Sequence, residues 1–176
     1  MEFNRCGENG NMNKPLILAV SGVKNSGKTT LIANLLPLLN ARLIRTAVIK
    51  HDGHSFTPDT PGTDSYRFFA AGACGSAIYD GEKFSLSRRA SVSERELTEF
   101  FPDADLILLE GFKDSEYPKL ELVRSGVSTL PVCDTKTLIA LVSDLDLKTE
   151  LPLFSPDAVE NIANFIDIYI KKAAHN

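Results

Sequence analysis

Apolar residues along this chain fall into two patterns. Four short stretches carry apolar runs without alternation: "LILAVS" (16–21), "TAVIK" (46–50), "DLILLEG" (105–111) and "TLIALVSD" (137–144). A strand with one wet face alternates polar and apolar positions, so continuous runs of this length read as strands covered on both faces. Elsewhere the apolar spacing lengthens to three and four. "KTTLIANLLPLLN" sets Leu31, Leu35, Leu38 and Leu39 on one helical face, with Pro37 in the last turn. "SPDAVENIANFIDIYIKKA" does the same with Val159, Ile162, Phe165, Ile166, Tyr169 and Ile170, and is expected to open with Ser155 as cap and Pro156 at the first position.

The middle of the chain is weaker in pattern. "TDSYRFFAAGA" reads as a helix ending at Gly72, and "CGSAIYD" as a strand running into a turn at Asp80-Gly81. "EKFSLSR" alternates weakly and is expected as an antiparallel edge strand. Ser93 and Glu96 form a capping box that opens a helix to about Phe101, and "KLELVR" alternates. Strands in turn with helices predict an α/β domain of three layers around a mainly parallel sheet, over residues 14–176. Residues 1–13, polar and rich in Asn and Gly, are expected to be a mobile tail. Ligands of such sheets lie beyond the carboxyl ends of the strands, where Ser21, Lys50, Glu110 and Asp144 fall.

Composition narrows the function classes. A net charge of −4 argues against a non-specific nucleic-acid binder. No apolar run approaches the roughly 18–20 residues of a membrane helix. The N-terminus lacks the hydrophobic core of a secretory signal, and Cys6, Cys74 and Cys133 stand far apart, so a reduced, cytoplasmic protein is expected.

The chemistry starts in "GVKNSGKT" (22–29), which matches G-x-x-x-x-G-K-[ST] between an expected strand and an expected helix. Gly22 and Gly27 let the backbone curl so that its amides face an anion, while Asn25 and Ser26 complete the loop and Thr30 follows it. Lys28 is placed to reach the β- and γ-phosphates, and the Thr29 hydroxyl to hold Mg²⁺. A charge-assisted hydrogen bond is worth about 1.5–3 kcal/mol, against about 0.3–1 from a helix end, so the amides and Lys28 dominate. Glu110 closes an apolar strand and is the candidate for Mg²⁺ or for orienting water; Asp105, at the other end, reads as a solvated or capping acid. His51, Asp52, His54 and Asp59 do not have zinc spacing and read as polar loop residues near a ligand. Asp64 either caps the next helix or joins the Mg²⁺ shell.

"GVKNSGKTTL", "VIKHDGHSF", "DTPGTDSYRFFAAGA" and "LILLEGFKDSEYPKLELVR", in that order, resemble the MobB family, the molybdopterin-guanine dinucleotide biosynthesis adapter proteins. The resemblance runs from about Leu16 to the C-terminus. It implies a P-loop NTPase fold and a GTP-binding adapter with weak GTPase activity that helps attach GMP to molybdopterin. It implies a homodimer, a MobA-like guanylyltransferase as partner, and phosphate and Mg²⁺ contacts from Gly22, Gly27, Lys28, Thr29, Glu110 and Asp64. Lys50, His51, Lys113 and Arg124 fall in matching segments; Thr63 stands where the family pattern leads one to expect lysine. The Asn-Lys-x-Asp guanine reader is absent. Asp144 could accept from the guanine N1–H and amine, or could be a solvated or capping acid. A small-molecule kinase using ATP or GTP and a pure binding module remain as alternatives, separated by the reaction product.

Overall fold

The computed structural model describes residues 14–52, 56 and 59–174. The expected tail at 1–13, Cys6 and His54 lie outside the described residues. Contacts divide the chain into two compact units. One runs from the start to His51 and resumes at Thr98; the other is Asp52–Leu97.

The first unit is built on a six-stranded sheet, ordered β2-β5-β1-β6-β7-β8, in which every pairing is parallel. Its strands are β1 (Leu16–Gly22), β2 (Thr46–Lys50), β5 (Leu106–Glu110), β6 (Lys119–Val123), β7 (Leu138–Ser143) and β8 (Leu153–Phe154). The apolar runs account for β1, β5 and β7; β5 is buried throughout, β7 at all but Ile139, and β1 over residues 18–21. Helices α1 (Lys28–Ala41) and α4 (Val159–Ala173) pack together on one face. Leu31, Ile32, Leu35 and Leu39 of α1 meet Ile162, Ala163 and Ile166 of α4 over Leu18, Val20, Leu108, Leu120, Leu122 and Val142. Pro37 lies inside α1, which continues to Ala41.

Strand β6 departs from its pattern. "KLELV" alternates as though one face were wet, yet all five residues are buried. The chain folds back over the polar face. Lys119 Nζ donates to the carbonyls of Ser115 and Tyr117, and the Glu121 carboxylate accepts from the amides of Val132 (2.6 Å) and Cys133 (3.1 Å). Burial disfavours the charged forms nearby: the Lys119 ammonium is held below its ordinary range by desolvation, and the Cys133 thiol is pushed up to about 12 by burial and by Glu121.

In the second unit, β3 (Gly75–Tyr79) and β4 (Phe84–Arg88) form a separate antiparallel ribbon. The expected edge strand therefore does not join the main sheet. Its weak alternation leaves it without a face to bury, and the nearest partner across the turn wins. That turn is fixed by Asp80, whose Oδ1 accepts from the amides of Glu82 (2.8 Å) and Lys83 (2.9 Å).

Helix starts also shift. α2 (Asp64–Ala70) is capped by Thr63, whose hydroxyl accepts from the Tyr66 amide, so Asp64 is the first helical residue and not the cap. Ser155 heads a turn instead of α4; the Ala158 amide bonds the Ser155 carbonyl, and the helix begins at Val159. The Ser93–Glu96 box does form, at 2.9 and 3.2 Å, but its helix α3 (Glu94–Thr98) stops before Phe101.

Candidate functional site

Four strands of the first unit deliver polar residues to the carboxyl edge of the sheet, and β1 is the centre. It enters its loop at Gly22, whose φ of 133° suits glycine alone. A Cβ there would stand 2.5 Å from the Leu122 carbonyl oxygen, so the neighbouring strand also forbids a side chain. Asn25 and Gly27 take positive φ as well, 64° and 94°, and curl the loop into the start of α1. Gly27 occupies the N-cap position, with no side chain capping the helix and no acid in its first turn. The first-turn amides of α1 are thus left for a partner from outside the chain. Ser26 is buried, and its hydroxyl has no hydrogen-bond partner among the described residues.

Lys28 bends back over the loop and donates to the carbonyls of Gly22 (3.2 Å) and Val23 (2.7 Å). Desolvation lowers its pKa, while Glu110 opposes that shift. The Thr29 hydroxyl donates to Glu110 Oε1 at 2.7 Å. Glu110 is nearly buried at the end of β5, directly across from Val20 and Lys50. Lys50 Nζ stands 3.0 Å from the same Oε1 and 3.5 Å from Thr29 Oγ1. A hydroxyl and a carboxylate with a cation already beside them suit a small, hard divalent ion.

The turn after Glu110 is fixed from both sides. The Gly111 amide bonds the Val20 carbonyl, the Ser21 hydroxyl bonds the Gly111 carbonyl, and the His51 amide bonds the Glu110 carbonyl at 3.2 Å. Phe112 follows with φ of 50°, its ring 5.6 Å from that of His51. Left-handed backbone at a bulky residue is costly, and such strain collects at working sites.

On the other flank, Arg124 follows β6 and Asp144 follows β7. Asp144 accepts from the Ser125 amide and hydroxyl, both at 2.8 Å, and from Arg124 Nε at 3.3 Å. The bonds from Ser125 hold its carboxyl below the usual carboxylate range. Arg124 Nη1 reaches within 3.8 Å of the point where a Cβ on Gly27 would sit. The sequence placed Arg124 in a matching segment without a role, and only the β1–β6 pairing reveals that it borders the loop.

The structure therefore brings together Gly22, Asn25, Ser26, Gly27, Lys28, Thr29 and Glu110, adds Lys50, and sets Arg124 and Asp144 beside them. Asp64 belongs to the other unit, where it pairs with Arg67 at 3.5 Å. Asp105 lies at the far end of β5 and grips Arg45, with Oδ1 to Nη2 at 2.8 Å and Oδ2 to Nε at 3.0 Å. Among the described residues, no group of three or more His, Cys, Asp or Glu side chains could hold a metal, and no helix is long and apolar enough to cross a membrane.

A family model described as molybdopterin guanine dinucleotide synthesis protein B, MobB, matches residues 17–144. The chain belongs to the MobB family. The molybdopterin-guanine dinucleotide biosynthesis adapter protein of Escherichia coli (strain K12) is 34% identical over 165 residues, covering 89% of this chain and 94% of that one. Its Haemophilus influenzae counterpart is 33% identical over 165 residues, covering 88% and 89%. The crystal structure of Bacillus subtilis MobB superposes with a TM-score of 0.66 at 29% identity, over 85% of this chain and 96% of that one. The fold is the α/β fold of P-loop NTPases, and the loop at 22–29 carries the chain from β1 into α1.

Proposed function

We propose that this MobB-family protein is a GTP-binding adapter in molybdopterin-guanine dinucleotide biosynthesis, with slow GTP hydrolysis and with Mg²⁺ as the nucleotide's counter-ion. Family membership supports the adapter role; a MobA-like guanylyltransferase and molybdopterin are the partners that the resemblance implies. One observation carries the nucleotide: an uncapped, glycine-shaped loop with Lys28 folded over its carbonyls and with the Thr29 hydroxyl 2.7 Å from the buried Glu110.

The residues present fit the ion. The Thr29 and Glu110 oxygens are hard donors, and the unpartnered Ser26 hydroxyl lies in the loop that would face the phosphates. When bound, Mg²⁺ supplies charge neutralisation at the β- and γ-phosphates. The chain's own part is binding and orientation. Loop amides and Lys28 hold the phosphate oxygens, Thr29 and Glu110 hold the ion, and Glu110 accepts a hydrogen bond from water near the terminal phosphate.

The homodimer belongs to the same proposal. Ile78, Tyr79, Phe84 and Leu86 are exposed on the β3–β4 ribbon. A two-stranded ribbon is marginal alone, and a second copy of the chain is the occupant the family resemblance implies. Sedimentation equilibrium of the full chain tests it, with a concentration-independent monomer as the refuting result.

The nucleotide reading is tested by thermal shift with GTP, GDP and ATP, each with and without Mg²⁺. At about 100 times Kd a ligand adds roughly 2.7 kcal/mol, or some 5–10 °C for a domain of this size. A Mg²⁺-dependent shift with GTP, little with ATP, and loss of about 2–4 kcal/mol of binding in Lys28→Ala are expected. An equal ATP shift overturns the guanine assignment and favours the kinase reading.

A further inference from the structure

We infer that Arg124 contacts the nucleoside end of the bound nucleotide, at the α-phosphate and sugar, and that Asp144 is the positioning residue that sets it there. This rests on the GTP reading above and adds the direction in which the nucleotide lies.

The sheet order gives that direction. Strands β5 and β2 stand on one side of β1, and β6 and β7 on the other. Thr29, Glu110 and Lys50 gather on the β5 flank, within 3.5 Å of one another. A triphosphate whose ion-bearing end lies there crosses the loop at the β1 edge, so its nucleoside end leaves over β6. Arg124 is the first residue past β6, and Asp144 the first past β7.

Arg124 is shaped for this position. Asp144 engages only its Nε, at 3.3 Å, which orients the guanidinium plane and leaves Nη1 beside Gly27. Its backbone heads a tight turn: the Arg124 carbonyl accepts from the amides of Val127 (3.1 Å) and Ser128 (2.9 Å), and Gly126 takes φ of 75°. Asp144 ties down the same turn through Ser125. With its oxygens already given to Ser125 and Arg124, Asp144 acts on the ligand through the turn. Lys28 covers one side of the loop and Arg124 the other, so two cations flank the phosphate chain. Guanidinium groups suit this task because two donors can grip one phosphate in a plane.

The test is calorimetric titration of wild type, Arg124→Ala, Arg124→Lys and Asp144→Asn with Mg²⁺ complexes of GTP, GDP and inorganic pyrophosphate. Arg124→Ala is expected to weaken GTP and GDP about tenfold or more, the equivalent of one charge-assisted hydrogen bond. Pyrophosphate, which fills only the β- and γ-positions at the ion-bearing end and has neither α-phosphate nor sugar, should change by less than about twofold, which also shows that the loop has kept its shape. Arg124→Lys should recover part of the loss, and Asp144→Asn should lose less than Arg124→Ala. Equal losses on all three ligands overturn the nucleoside-end placement. Unchanged GTP affinity in Arg124→Ala overturns the contact while leaving the GTP reading standing. Wild-type protein that binds pyrophosphate but no guanine nucleotide overturns both.

Discussion

Replacing Glu121 by alanine tests the least expected feature of the fold. Glu121 sits on the central strand β6, 1% exposed, and its two oxygens accept from Val132 N at 2.6 Å and Cys133 N at 3.1 Å. Hydrogen bonds to a charged acceptor contribute about 1.5–3 kcal/mol each, so two give roughly 3–6. Releasing a carboxylate from a desolvated place returns part of this, because burying the charge had a cost of its own. The expected net loss is about 3–5 kcal/mol, a large part of the roughly 5–15 that hold an ordinary domain. Glu121→Gln keeps the shape and one acceptor but turns an amide donor toward a backbone donor, and should lose about half as much. Urea unfolding followed by circular dichroism reads the loss as a lower midpoint at nearly constant slope. Amide exchange adds the local readout: Val132 and Cys133 should lose protection before the rest of β6. An alanine variant that unfolds at the wild-type urea concentration refutes the reasoning, since the carboxylate would then be replaceable by water.

Three further outcomes follow from the structure. Gly22→Ala forces a left-handed φ of 133° on alanine and sets its Cβ 2.5 Å from the Leu122 carbonyl oxygen, so a stability loss of at least about 2 kcal/mol and weakened nucleotide binding are expected; wild-type melting would show that the β1–β6 approach is loose. In a Cys6→Ser background, a thiol reagent at pH 8 should modify the exposed Cys74 rapidly and the buried Cys133 only on unfolding. The Cys133 thiol is pushed up to about 12 from 9.0, so the folded chain keeps its proton where the unfolded chain loses it. That group makes stability fall as pH rises from about 9 toward 12, and Cys133→Ala should flatten this slope in alkaline unfolding.

Local pattern settled much of this protein. Three buried strands, two core helices and the phosphate loop were legible because each rests on chain neighbours: an apolar run, a spacing of three and four, and glycines at fixed intervals around Lys28 and Thr29. Glu110 was legible too, as the acid closing an apolar strand. The bounds of α2 and α4 were not, since Thr63 and Ser155 each had a competing turn within reach. Strand β6 defeated the pattern outright: Lys119 and Glu121 look wet in sequence, and only the return of segments 115–117 and 132–133 gives them buried partners. Arg124, 97 positions beyond Gly27 by subtraction of their numbers, was likewise not legible as a neighbour of the loop, while Lys50 was placed at the strand ends but without its partner Glu110. Parallel pairing of β1 with β6, and of β2 with β5, brings them to the loop. Sequence fixes what is decided among neighbouring residues, because dihedral preferences and periodicity act locally. Which strand lies beside which is decided by burying all the apolar surface at once, and that choice put a cation on each flank of the loop.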